Sequence, residues 1–236
     1  MKTLLFTLLC CTVSHGLLYA QTSGTFRLSS EEEIEQAIPA SARYRFPQFR
    51  QGNIDYHTGT KASARLNYNL LLEEMQFITL TGDTLALADE HLIRQISVGD
   101  TKFYFGERSG FVETIAAYAS LQLAVHQKFT TVNAEKMGAY DQSSAVSSIK
   151  VYHTYIGDGG QRQSLEMKGD LVLAIESEFY LVDKNNRTYK AGKSALKKIF
   201  PDKKQAIIDY IKSEKVDFNS EDDLRKLLEY CSSLAS

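Results

Sequence analysis

Residues 64–87 read "ARLNYNLLLEEMQFITLTGDTLAL", and how this stretch is read decides the fold. It brings Asn67, Tyr68, Asn69, Glu73, Glu74 and Asp83 into close succession, a density of polar groups that suits either a site or a chain folding back on itself. Leu66, Tyr68 and Leu70 alternate with Arg65, Asn67 and Asn69. That is the two-residue period of a strand with one apolar and one wet face. Residues 64–71 and 75–80 therefore read as two arms of a hairpin whose turn holds Glu73 and Glu74, where water solvates both carboxylates. Gly82-Asp83 turns the chain again into residues 84–87. On this reading Asn67 and Asn69 face solvent, and the polar groups serve the fold-back rather than chemistry.

The same period runs outward from Tyr44 to Tyr189. Leu121, Leu123, Val125 and Phe129 oppose Gln122, Ala124, His126 and Lys128. Turn signals separate the runs: "HTGTK" at 57–61, "VGD" at 98–100, "GDGG" at 157–160 and "DKNNR" at 183–187. Such close spacing leaves no room for crossover helices, so the sheet is expected to be antiparallel, built from hairpins, and open or barrel-like. "FVETIAAYAS" at 111–120 spaces Phe111, Ile115 and Tyr118 as a helix would, yet it runs into a strand. A strand bending near 116–120 is expected. Residues 133–148 are small, polar and aperiodic. They read as the longest irregular loop and the first choice for a partner contact.

Helical signals flank this region. "SSEEEIEQAI" at 29–38 reads as a short N-terminal helix, with serine caps, glutamates at the positive dipole end and Pro39 as its stop. After Tyr189 a first helix is expected over 194–200, closed by Pro201. A second, over 203–214, is capped by Asp202 and buries Ile207, Tyr210 and Ile211. A third, over 221–233, follows a capping pattern at Ser220 and Asp223 and aligns Leu224, Leu227, Leu228, Cys231 and Leu234. The expected fold class is α+β: the hairpin-built sheet, a short N-terminal helix and a small C-terminal helical bundle.

Residues 1–20, "MKTLLFTLLCCTVSHGLLYA", carry an early lysine, an apolar run and a small residue before Gln21, the layout of a secretory signal peptide. This divides the chain into a signal peptide at 1–20, a β-sheet domain at 21–190 and a helical segment at 191–236. The expected location is periplasmic, outer-envelope-associated or secreted. No later run is long enough for a membrane span. Cys10 and Cys11 leave with the leader, so Cys231 has no disulfide partner. With 27 basic and 29 acidic residues, evenly mixed, the chain carries no electrostatic footprint for nucleic acid.

Sites of chemistry are not legible, and no catalytic residue, cofactor or metal is expected. His57, His91, His126 and His153 are scattered and stand in no HxH, HExxH or CxxC frame; only a pairing of His126 with His153 across strands would bring two together. There is no GxSxG elbow, and Ser143, Ser144, Ser147 and Ser148 lie in the 133–148 loop. Cys231 sits on an apolar helix stripe, where a free thiol is packing material. Asp55, Glu113, Glu166 and Asp170 are the acids available for paired-carboxylate hydrolysis. "GDGGQR" at 157–162 lacks the Lys-Ser/Thr of a phosphate loop. Two modification patterns occur: the sequon Asn186-Arg187-Thr188, and Asp83-Thr84-Leu85, which looks like the acceptor pattern of an O-glycosylation system of some Gram-negative envelopes.

The phrases "FRQGNIDYHTGTKASARLNYNLLLEEMQFI", "GDTLAL" and "IRQISVGDTKFYF", with the ending "KSALKKIFPDKKQAIIDYIKSEKVDFNSEDDLRKLLEYC", resemble a group of exported bacterial proteins with no assigned activity. The resemblance covers most of 44–230, weakly between 130 and 165, and implies a secreted, β-rich protein without contributing site residues. The function expected is a non-enzymatic envelope or secreted binding or accessory module whose partner is a protein or envelope component. The alternatives are a hydrolase using paired carboxylates and a carrier of a small apolar ligand.

Overall fold

A computed structural model describes residues 25–28, 37–119, 121–132 and 171–234. Among these, eleven strands form a single sheet. They are β1 (Thr25–Leu28), β2 (Arg50–Tyr56), β3 (Lys61–Asn69), β4 (Glu74–Ile78), β5 (Thr84–Ala86), β6 (Ile93–Val98), β7 (Thr101–Gly106), β8 (Gly110–Ala117), β9 (Leu121–Val132), β10 (Leu171–Asp183) and β11 (Thr188–Lys190). The helices are α1 (Ala40–Arg43), α2 (Lys193–Ile199), α3 (Lys204–Ser213) and α4 (Glu221–Ser233). The strand order is β1-β10-β9-β8-β7-β6-β2-β3-β4-β5, with β11 also on β10, and the pairings are antiparallel. The hairpin-built antiparallel sheet is as expected, and it is not closed into a barrel.

Residues opposite each other in an antiparallel register share a face. Leu66 with Phe77, Tyr68 with Met75, Ile54 with Ile96, and Ile96 with Phe103 therefore line one side. Phe46, Phe111, Phe129 and Leu173 join them in a buried cluster. Each fully buried side chain of this size contributes roughly 1.5–3 kcal/mol. Gly52 lies on this face between β3 and β6. A Cβ there would meet the Ser97 carbonyl oxygen at 2.7 Å and Leu66 Cδ1 at 2.8 Å, so the close approach of these strands requires glycine.

At the other end of the same face, α2 to α4 cover β9 and β10. Leu196, Ile207, Ile211, Leu224, Leu227, Leu228 and Cys231 pack against Leu121, Leu123, Phe179 and Leu181. Arg225 Nη2 donates to the Ile115 carbonyl (3.0 Å), tying α4 to β8. The helical tail is docked on the sheet. α4 spans the residues expected, and Ser220 Oγ accepts from the Asp223 amide. Asp223 Oδ2 accepts from the Asp217 amide at 3.0 Å, which ties the preceding loop to the helix start.

Other expectations are corrected. Asp202 does not cap α3: it lies inside a 3-10 turn, Pro201–Lys203, and Lys203 holds the cap position without a side-chain bond. The tight turn that Pro201 opens, with the Lys203 amide on the Phe200 carbonyl (3.2 Å), draws Asp202 away from the first helical amides. Pro39 is the N-cap residue of α1; of the helix expected at 29–38, residues 29–36 lie outside those described. The bend in β8 falls earlier than expected, as a register shift between Thr114 and Ala116. The 133–148 loop, the "GDGG" turn, His153, Glu166 and Asp170 all lie outside the described residues.

Past Val125, β9 continues on β10 as far as Val132 while its register with β8 ends. The turn between β3 and β4 comes down beside this freed length of β9. The Phe129 amide donates to the Leu70 carbonyl at 3.4 Å.

Candidate functional site

On the polar face of the β3–β4 hairpin Arg65 is exposed but Asn67, Asn69 and Gln76 are buried, which corrects the expectation that the asparagines face solvent. Asn67 is 1 % exposed, Asn69 2 % and Gln76 7 %. The register of β2 on β3 ends at the pair Arg50 and Leu66. Beyond it, residues 43–46 run alongside β3: the Arg45 amide donates to the Tyr68 carbonyl (2.9 Å) and the Leu70 amide to the Arg43 carbonyl (2.7 Å). Asn67 completes this edge. Its Oδ1 accepts from the Phe46 amide (3.0 Å) and its Nδ2 donates to the Phe46 carbonyl (2.9 Å). Asn69 Oδ1 accepts from the amides of Leu71 and Leu72 at 3.0 and 3.2 Å, shaping the turn. Tyr44 donates its hydroxyl to Gln76 Oε1 at 2.9 Å. The asparagines serve the fold-back, as expected, but as buried braces of backbone.

Glu73 does not stand in open water either. It adopts φ +57°, and its Oε2 lies 3.1 Å from Nε2 of His126, which is 5 % exposed. Glu74, the first residue of β4, accepts from Gln76 Nε2 at 3.2 Å. Burial and the neighbouring Glu74 push the Glu90 carboxyl above its ordinary value. Burial, with Glu73 and Glu90 behind it, raises the Tyr68 phenol well above its own. Asp83 is exposed in the β4–β5 turn, as expected.

Of the candidate acids, the two among the described residues, Asp55 and Glu113, are held apart. Glu113 lies on the apolar face, 8 % exposed, and accepts Arg45 Nε at 2.5 Å and Nη2 at 2.7 Å in a two-pronged pair. Beside it Arg45, Tyr68, Phe103, Phe111, Val125 and Gln127 close around a hollow with no room for a water molecule. Asp55 follows the core residue Ile54 and so faces the opposite side of the sheet, 3.4 Å from Lys61 Nζ and 3.6 Å from Arg94 Nη2. His57 and His91 are exposed and His126 is buried. No group of three metal-ligating side chains occurs among the described residues. Burial pushes the Cys231 thiol up to about 11, as packing among leucines requires.

The remaining constellation lies on the sheet face away from the helices. Tyr104, Val112, Ala124, Tyr180 and Val182 form a small apolar cluster there. Above it runs a chain of amides and hydroxyls across β6, β7, β9 and β8. Gln95 Nε2 donates to Ser97 Oγ (3.0 Å), Tyr104 Oη to Gln95 Oε1 (2.9 Å), Gln122 Nε2 to Tyr104 Oη (3.0 Å) and Thr114 Oγ1 to Gln122 Oε1 (3.1 Å). Gln122 also borders an open cleft of about 160 Å³ lined by Tyr118, Leu121, Val182, Asp183 and Lys184. Alternation placed Gln122 on a polar face. Its partners, on other strands, left no local signal.

Asp183 shapes one wall of this cleft. Burial disfavours its charge. Hydrogen bonds from the Arg187 side chain (2.7 Å), the Arg187 amide (2.9 Å) and the Asn185 amide (2.8 Å) outweigh that and hold the carboxyl below the usual aspartate range. A carboxyl depressed in the folded state stabilises the fold above its unfolded value of about 4. The contribution fades as pH falls through the lower folded value. Asp183→Asn is expected to cost about 1 kcal/mol near neutral pH. In urea titrations the gap between the two proteins should close below about pH 4; a gap unchanged there would exclude the charge as its source.

No family model matches this chain, and neither a curated protein nor a solved structure does.

Proposed function

We propose that this chain is an exported, non-enzymatic binding or accessory module, and that it meets a protein or envelope component through the partly exposed Gln95, Thr114 and Gln122, which the buried Tyr104 holds together. The observation that carries this reading is the hydrogen-bonded chain from Ser97 to Thr114. Polar side chains that hold one another in place lose little conformational freedom when a partner docks. The C-terminal helices pack on the other face, and on this one Gln95, Thr114 and Gln122 keep partial exposure among the described residues. Export rests on the signal-peptide layout of residues 1–20.

The test is capture from envelope extract on immobilised protein comprising residues 21–236, followed by mass spectrometry. The double variant Gln95→Ala/Gln122→Ala is the comparison, with folding checked by circular dichroism. A specific partner should be retained by the parent and reduced at least about tenfold by the variant, the effect of roughly 1.4 kcal/mol. Equal retention by a folded variant would remove this face from the proposal.

A further inference from the structure

The β4–β5 hairpin carries Asp83-Thr84-Leu85 at an edge of the sheet, since β5 ends the strand order among the described residues. All three residues are exposed. The neighbouring side chains are engaged with one another: Thr79 Oγ1 lies 2.8 Å from Thr81 Oγ1, Thr81 Oγ1 donates to Asp83 Oδ2 (2.7 Å), and the Asp83 amide donates to Thr79 Oγ1 (3.0 Å). Thr84, the first residue of β5, takes no part in this ring. Its hydroxyl makes no hydrogen bond among the described residues. A hydrogen-bonded turn thus presents an exposed secondary alcohol between an acid and an aliphatic side chain.

The edge itself calls for a cover. Leu85 is 50 % exposed and Leu80, in the same hairpin, is fully exposed. A terminal strand with open backbone groups and apolar side chains is a template for unwanted pairing. Natural edges are blunted by charge, proline, a bulge or a covering group, and β5, "TLA", has neither charge nor proline.

We infer that Thr84 is an O-glycosylation site, and that a saccharide on its Oγ1 shields the β5 edge. The inference rests on the export reading above, because the donor is an envelope lipid carrying a saccharide through an anomeric phosphate. In the transfer, Oγ1 bonds to the anomeric carbon as the bond from that carbon to the phosphate oxygen breaks. The lipid phosphate leaves, and the hydroxyl proton passes to a base of the transferase; nothing is oxidised or reduced. Other hydroxyls fit less well. Thr101, in Asp100-Thr101-Lys102, is followed by a cation and is half-buried. Thr188, in the sequon Asn186-Arg187-Thr188, lies 3.1 Å from Ser109 Oγ.

The full-length chain expressed in its own host, recovered by cell fractionation and measured by intact mass and peptide fragmentation, tests this. Protein from the envelope should exceed its polypeptide mass by whole sugar residues located on the peptide containing Thr84. Thr84→Ala and Leu85→Lys should return it to the bare mass, while Thr84→Ser and Thr81→Ala should keep the modification. Envelope protein of bare mass, or a modification that survives Thr84→Ala, would overturn the site while leaving export standing. Cytoplasmic protein that retains residues 1–20 would overturn both.

Discussion

Asn67→Ala is expected to lower the stability of this fold by about 3 kcal/mol, as two backbone groups of Phe46 lose their partner and each buried orphan costs roughly 1–3 kcal/mol. For a chain of this size that is a fall of roughly 6–12 °C in melting temperature. Solvent offers little relief at a side chain 1 % exposed. Asn67→Asp is a sharper probe, since it keeps an acceptor for the Phe46 amide but sets a second oxygen against the Phe46 carbonyl. It should cost at least as much at neutral pH. If Asn67 faced water, both substitutions would stay within about 0.5 kcal/mol. Thermal and urea unfolding decide between these outcomes.

Glu113→Ala should cost about 2 kcal/mol by leaving the Arg45 guanidinium without its two-pronged partner. Breaking a fully buried ion pair costs about 3–5 kcal/mol. The lower figure here reflects the Arg45 side chain, which remains 26 % exposed. Arg45→Met/Glu113→Leu should recover most of the loss, because apolar groups of similar volume fill the same space against Tyr68, Phe103 and Phe111. A double-mutant cycle is expected to give a coupling of at least about 1 kcal/mol, only weakly sensitive to added salt. Additive single effects would mean that the pair does not join residues 43–46 to β8.

These two positions also mark where the sequence was legible. The alternation through 64–71 correctly announced a strand and its fold-back, and it put Leu66, Tyr68 and Leu70 on the core side. It could not announce that residues 43–46 return to pair with the edge of β3 and take up the Asn67 side chain, because asparagines that face water and asparagines that brace another segment are written alike. Glu113 was visible only as an acid among several. The cation that holds it lies 68 residues earlier, at a distance no local pattern spans. The network through Gln95, Tyr104, Thr114 and Gln122 was hidden for the same reason.

α4 stands at the opposite extreme. Its bounds, its Ser220 cap and its buried stripe followed from local rules, since capping and a 3.6-residue period act within a few residues of chain. The β3–β4 fold-back and the turns at 57–61, 98–100 and 183–187 were likewise determined by the sequence itself, because turn chemistry and alternation are local. The tertiary structure alone decided where the helices dock, which asparagines are buried, and that the sheet stops short of a barrel. Those outcomes depend on contacts between residues far apart in the chain, whose energies appear only once the backbone has brought them together.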